Sequence, residues 1–307
     1  MSSPLRLAIA VPQTFADGTF DPAGFRAYLA RAEALGFDSA WTGEAVLGSQ
    51  PFLDAVQMLT YAAAVTERMR LGCAVMLIGL HSPVHLAKSL STLDQVSRGR
   101  LVIGVGLGGR TDVYPAFAGD AGTRVARFNE SLRVMEALWT EPKATFEGRF
   151  WRLPDAPMEP KPFQKPHPPI WFGANHPNAL RRAVKHGDGF IGGGSASTEQ
   201  FRENVRTLRT LLDEAGRDGG DFPIAKRVYI AVDEDREGTG RRIDEYFQRR
   251  YGRAGMESLA IWGPPDECLD RLREVADAGA QLILLDAPFD HAHQLERFAS
   301  EIAPQLK

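Results

Sequence analysis

Strand-like and helix-like segments alternate along almost the whole of this 307-residue chain, and few architectures accept that rhythm. Strand candidates fall at Leu5 to Val11, Ser39 to Thr42, Arg70 to Leu77, Leu101 to Val105, Pro169 to Phe172, Gly189 to Ile191, Lys226 to Val232 and Leu282 to Asp286. Between them apolar residues recur at the helical period, as in Phe25, Tyr28, Leu29, Ala32 and Leu35, or Leu86, Leu90 and Leu93. Asp21 before Pro22 and Ser82 before Pro83 read as helix starts, a capping side chain followed by a residue whose φ is already set. Gly36, Gly99 and Gly279 read as stops. A strand reaches a parallel neighbour only through a crossover, usually a helix, so repeated βα units imply a parallel sheet. Eight units close it, and the expected fold is an α/β, (β/α)8 TIM barrel.

The rhythm breaks between the fourth and fifth strands. Arg124 to Trp139 has helical periodicity, Ala144 to Leu153 alternates around Glu147-Gly148 as a hairpin does, and Pro154 to Pro169 is too proline-rich for a helix or sheet interior. Residues 109–169 are therefore read as an insertion on one domain spanning 1–307, placed to shape a pocket. Tyr114, Phe117, Phe150 and Trp151 are its aromatic candidates, with Phe15 and Phe20 nearby.

Net charge is −3 with no block of like charge, which argues against nucleic acid or an anionic membrane as partner. No stretch approaches the roughly 20 apolar residues of a membrane span, and the N-terminal apolar run reads as a strand. A cytoplasmic protein is expected. Cys73 and Cys268 read as buried free thiols.

In a parallel barrel the chemistry sits at the C-terminal strand ends. Here those ends carry Pro12-Gln13, Gly43-Glu44, Leu77 to His81, Gly106 to Asp112, Gly173 to His176, Gly192 to Gly194, Asp233 and Asp286. Several are glycine-rich and charges look sparse, which suits a large planar cofactor better than a hydrolytic metal site. SRGRLVIGVGLGG (Ser97 to Gly109) is the clearest case. Gly104, Gly106 and Gly109 also fit G-x-G-x-x-G, but the dinucleotide reading needs a helix to open at once, and RTDVYPAFAGDAG does not open one. The scattered histidines, including His81 and His85, give no metal set, and there is no G-x-S-x-G elbow. In GANHPNALRRAVKHGDGF (Gly173 to Phe190) a strand end meets a helix start, where free N–H groups can hold phosphate, with His176 and Arg181 or Arg182 adding charge. An ordinary βα turn is the competing account of that segment.

LAIAVPQ, AEALGFDSAWTGE, AAAVTERMRLGCAV, HLAKSLSTLDQVSRGRLVIGVGLGG, MEPKPFQKPHPPIWFGANHPNALRRAVKHGDGF and IWGPPDECLDRLREVADAGAQLILL occur in this order and spacing. Together they resemble the bacterial luciferase-like family of flavin- and deazaflavin-dependent oxidoreductases. The resemblance implies a TIM barrel with FMN or the deazaflavin coenzyme F420 at its C-terminal mouth. It implies a bulge with a non-proline cis peptide at Ala74-Val75 behind the ring, and Gly106, Leu107 and Gly108 along the ring or ribityl chain. Gly173, Ala174, Asn175, His176, Ala179, Gly192 and Gly193 complete the implied cofactor set. Relatives often end the second strand in Asp-His; here Gly43-Glu44 stands there, so Glu44 would handle the proton, or else only bind loop backbone. Luciferase's fourth-strand arginine is replaced by Leu107, with Arg110 three residues on. That departure and the ungapped match of Gly173 to Gly189 favour F420 over FMN.

The leading expectation is an oxidoreductase acting on a small organic substrate, by hydride transfer with F420 or by FMN-dependent monooxygenation fed by a separate reductase. Glu44, His81 and Asp112 are its catalytic candidates. The alternatives are a non-catalytic flavin-binding barrel and an NAD-dependent Rossmann dehydrogenase. A homodimer through Leu53, Val56, Leu59, Leu86, Leu90 and Leu93 is implied by the resemblance, and core packing explains those residues equally well.

Overall fold

A computed structural model describes residues 4–15, 19–252 and 254–306. Its strands are β1 (Arg6–Ala10), β2 (Ser39–Thr42), β3 (Arg70–Met76), β4 (Leu101–Val105), β5 (Ala144–Glu147), β6 (Arg152–Ala156), β7 (Ile170–Gly173), β8 (Gly189–Gly192), β9 (Ile224–Val232), β10 (Ile261–Gly263) and β11 (Leu282–Asp286). The helices are α1 (Pro22–Ala34), α2 (Ala55–Val65), α3 (Pro83–Ser97), α4 (Arg124–Thr140), α5 (Pro177–His186), α6 (Thr198–Glu214), α7 (Arg236–Tyr251), α8 (Pro265–Asp277), α9 (His291–Arg297) and α10 (Ala303–Leu306). Parallel pairing runs β9-β11-β1-β2-β3-β4-β7-β8 and returns to β9, closing the expected eight-stranded barrel.

Local chemistry starts and stops these elements as expected. Asp21 accepts from the Ala23 N–H at 3.0 Å at the head of α1, and Arg98 in the left-handed region followed by Gly99 ends α3. Two features depart from the sequence reading. β10 is too short to be seen in it, and it pairs with Ile230–Val232, the part of β9 beyond its pairing with β11. Within 109–169, α4 is no excursion: Phe128, Leu132, Met135, Leu138 and Trp139 are buried in the main core between barrel and helices. Only the turns at 114–123, the β5–β6 hairpin and the proline-rich strand approach lie outside the barrel rhythm.

Two apolar compartments carry the barrel, beside smaller clusters around Tyr229 and Phe247 and around Leu80 and Tyr114. The larger lies between strands and helices and takes up Leu59, Leu86, Leu90 and Leu93, with Leu53 and Val56 half-buried against it. Packing in this core accounts for these six residues. The smaller fills the barrel itself, with Ala8, Ala10, Trp41, Val102, Trp171, Ile191, Ala225, Leu282 and Leu284. Trp41 and Trp171 meet there at 5.4 Å between ring centroids. A Cβ at Gly72 would come within 2.5 Å of the Trp41 ring, and one at Gly189 within 2.7 Å of Trp171. By area each buried indole contributes at most about 4–6 kcal/mol. This aromatic plug closes the barrel beneath its C-terminal mouth. Cys73 and Cys268 are buried free thiols, and burial raises the pKa of both. Among the described residues no helix is long and apolar enough to cross a membrane, and no group of three or more His, Cys, Asp or Glu could hold a metal ion.

Candidate functional site

Above the plug the strand ends open into a cavity of about 1500 Å³. Its floor comes from an irregularity in β3. Register with β4 slips between Cys73 and Met76, so Ala74 and Val75 both face the barrel interior instead of alternating. The Ala74-Val75 peptide is cis, as the resemblance implied. The Val75 side chain then occupies space that two glycines leave free. A Cβ at Gly106 would lie 2.5 Å from one Val75 methyl, and a Cβ at Gly173 2.6 Å from the other. These glycines therefore act first by seating Val75. Gly108 adopts φ +68, and Leu107 and Gly108 continue the cavity wall.

Glu44 follows β2 and lines the cavity with its side chain only 3% exposed. One carboxylate oxygen accepts the Leu77 N–H, and the other lies 2.8 Å from His81 Nε2. The two accounts weighed for Glu44 thus coexist in one geometry. His81 sits behind Glu44 and is not among the cavity-lining residues. Burial lowers its pKa, but the hydrogen bond and charge of Glu44 outweigh this and leave it raised. Asp112 is a correction. Its carboxylate is 64% exposed and bound to Arg110, away from the cavity wall, because the neighbouring guanidinium is its nearest partner.

On the β7–β8 side, Gly173, Ala174, Asn175, His176, Ala179, Gly192 and Gly193 all line the cavity. The start of α5 is less open to an anion than expected. His176 Nδ1 accepts the Asn178 N–H, and its carbonyl accepts those of Ala179 and Leu180. Arg182, not Arg181, faces the cavity; Arg181 bonds Asn178. Asn175 accepts from Asn204 at 3.3 Å, which ties this loop to α6. The glycine loop after β8 is held from behind by Lys226, whose ammonium donates to the carbonyls of Gly193 and Ala196 at 2.6 and 2.7 Å. Burial pushes the Lys226 pKa down to about 7.

The expectation of sparse charge fails. Arg110, Arg182, Arg227, Arg242, Arg249 and Arg250 line the cavity against Glu44, Glu245 and Asp290. The excess was hidden because the arginines come from separate segments and the whole chain is slightly acidic. Arg227, on β9, crosses the barrel interior. Its Nε donates to Asp286 at 2.6 Å and its Nη1 to the Ala74 carbonyl at 3.2 Å. A buried pair from β9 and β11 thus holds the β3 bulge from across the barrel. From the insertion only Val113 and Phe117 of the residues beyond Arg110 and before α4 reach the cavity; Phe150 and Trp151 pack around Arg127 instead. Phe15 also lines the cavity.

A flat tricyclic ring fits this wall. The floor is two small apolar side chains, the loops around it are glycine, and a Cβ at Gly109 would meet nothing within 4 Å. Arg182 and the loops at 173–176 and 192–195 line the same cavity and are the residues that could hold a cofactor's phosphate.

The profile of the luciferase-like monooxygenase family matches residues 6–282. An F420-dependent glucose-6-phosphate dehydrogenase from Intrasporangium calvum is 26% identical, covering 94% of this chain and 96% of that one. One from Kineococcus radiotolerans is 30% identical over 70% of this chain and 66% of its own length. Among solved structures, monooxygenase RslO1 from Streptomyces bottropensis superposes with a TM-score of 0.85 at 24% identity, covering 99% and 100% of the two chains. An F420-dependent secondary alcohol dehydrogenase superposes with a TM-score of 0.84 at 18% identity and the same coverage.

Proposed function

The chain belongs to the luciferase-like monooxygenase family and is an oxidoreductase of the flavin and deazaflavin type, and on that premise we propose that it oxidises a hydroxyl group of a small organic substrate with coenzyme F420. The observation that carries this reading is the enclosed Glu44–His81 pair at the cavity wall. Removing hydride from a carbinol carbon leaves a proton on oxygen, and a carboxylate within reach of that oxygen accepts it. When bound, the deazaflavin supplies the hydride acceptor.

The remaining work falls to this chain's own residues. Ala74 and Val75 would support the ring from one side, and the glycine loops would let backbone approach its edges. Glu44 keeps free lone pairs on both oxygens after accepting from Leu77 and His81, so it can still take the substrate proton. His81 fixes the carboxylate's orientation through its 2.8 Å contact with the second oxygen. Phe15, Leu80, Val113 and Phe117 keep water from the reacting face.

Two relatives named as F420-dependent match 94% of this chain, which supports F420 over FMN. The test is titration of purified protein with each cofactor, followed by anaerobic turnover. F420 should bind more tightly, and Glu44→Gln should lower kcat by about 10²-fold or more with cofactor affinity kept. Tight FMN binding with none for F420 would overturn the hydride-transfer reading.

A further inference from the structure

Below the mouth, on the wall opposite the β7–β8 loops, a small cavity of about 30 Å³ joins the main one. Thr14, Phe52, Arg227, Tyr246, Arg250 and His291 line both. From these residues we infer an anion subsite that holds a carboxylate of the substrate, with Arg250 as its principal ligand. The inference rests on the oxidoreductase reading for the word substrate, and on three independent observations for the site.

The first is charge. Arg250 and Arg227 converge: Nη2 of Arg250 and Nη1 of Arg227 come within 3.4 and 3.7 Å of where a Gly43 Cβ would stand. Asp286 neutralises Arg227. Among the described residues no carboxylate pairs with Arg250, whose guanidinium lies over the Phe52 ring at 4.6 Å. Two close guanidiniums with one carboxylate leave a positive charge that an anion would balance.

The second is an orphaned polar atom. His291 Nδ1 is buried with no hydrogen-bond partner, and His291 lies on the wall of both cavities. A buried polar group without a partner is costly, and this one belongs to a side chain on the wall of the subsite, where a small turn of the ring would bring it to a bound anion. Burial lowers the His291 pKa, which leaves a neutral ring able to donate from Nδ1.

The third is shape and place. About 30 Å³ holds one or two oxygen atoms, and a guanidinium fork matches a planar carboxylate. Gly43, against which both arginines pack, immediately precedes Glu44. Arg250 and Glu44 line the same main cavity, so a molecule held by its carboxylate at Arg250 can extend towards the proposed proton acceptor. The expected substrate class is a hydroxy acid. Arg182 and the β8 loop, which would hold the cofactor's phosphate, do not line the small cavity, so the two anions would not compete.

The test uses cofactor-free protein titrated with lactate and with lactamide, its neutral counterpart, by ligand-observed NMR. The same protein is titrated with inorganic phosphate, and separately with F420. Lactate should bind and lactamide should not. Arg250→Gln should weaken lactate by about tenfold or more, Arg250→Lys should retain part of it, and both variants should bind F420 within about twofold of wild type. Equal binding of lactate and lactamide, unchanged affinity in Arg250→Gln, or phosphate that binds more tightly than lactate and is weakened by Arg250→Gln overturns the carboxylate subsite. So does an equal loss of F420 affinity, which would give Arg250 to the cofactor. Failure of wild-type protein to bind F420 or FMN would instead sink the oxidoreductase reading and leave the anion result standing.

Discussion

Gly173→Ala tests whether the glycines around the cavity floor serve the Val75 side chain. The new Cβ would lie 2.6 Å from a Val75 methyl carbon, where ordinary carbon contact is about 3.5–4.0 Å. One of the two must move by about 1 Å, and overpacking of that kind costs about 1–3 kcal/mol. Val75 stands at the cavity floor, so the displaced methyl also intrudes on the ring site, and cofactor affinity should fall by about tenfold. The decisive comparison is the same change in a Val75→Ala background. With both methyls gone, the nearest remaining neighbours of the new Cβ are the Val105 carbonyl and the Cβ at position 75, both at 3.7 Å, an ordinary contact. The cost of Gly173→Ala should then disappear, and the lower entropy of alanine in the unfolded chain favours the substitution by up to about 1 kcal/mol. Urea unfolding of the four proteins gives the coupling energy, and cofactor titration of the same four gives the effect on the site. If Gly173→Ala is equally destabilising with and without the methyls of Val75, the packing argument is wrong. If both proteins carrying Gly173→Ala lose cofactor affinity equally without losing stability, the glycine contacts the ring directly.

Glu44→Gln removes the carboxylate charge that raises the His81 pKa and leaves burial opposed by the charge of Asp54 alone, so an NMR titration should find the ring pKa lower than in the wild-type protein. In the wild-type protein the raised pKa adds stability that is complete below about pH 6.5 and is lost as pH rises through the folded value; Glu44→Gln should abolish that slope. Asp286→Asn leaves the Arg227 guanidinium enclosed without a carboxylate and should cost about 3–5 kcal/mol in unfolding experiments, whereas a cost under about 1 kcal/mol would mean that solvent reaches the pair. Asp112→Asn changes an exposed carboxylate outside the cavity wall, so turnover should stay within about twofold of wild type. A large loss there would restore the catalytic role that its place at a strand end implied.

The repeat of short apolar runs and 3.6-period stretches was enough to settle the barrel. Strand and helix identity are written in local spacing, and eight parallel units have one compact way to close. Caps at Asp21 and Ser82 and the stop at Gly99 are equally local, each involving residues within one turn. The Ala74-Val75 bulge was legible only because a family pattern marks it, whereas Glu44 already stood among the strand ends and took only its role from that pattern. Three-residue β10 fell below any period, and α4 was misjudged because a helix's periodicity does not say which layer it joins.

What the tertiary structure alone decided is the charge and polarity of the mouth. Arg227 is an interior residue of β9 whose hydrogen-bond acceptor, the Ala74 carbonyl, lies 153 positions earlier. In sequence the arginines of α7 are those of an ordinary solvated helix, and closing the barrel turns Arg250 towards Arg227 and Gly43. The pattern of apolar residues dictates how a chain curls because burial is proportional to area and blind to partner. Which polar atoms face each other depends on distances of a few ångströms across the closed ring, and no local spacing encodes those.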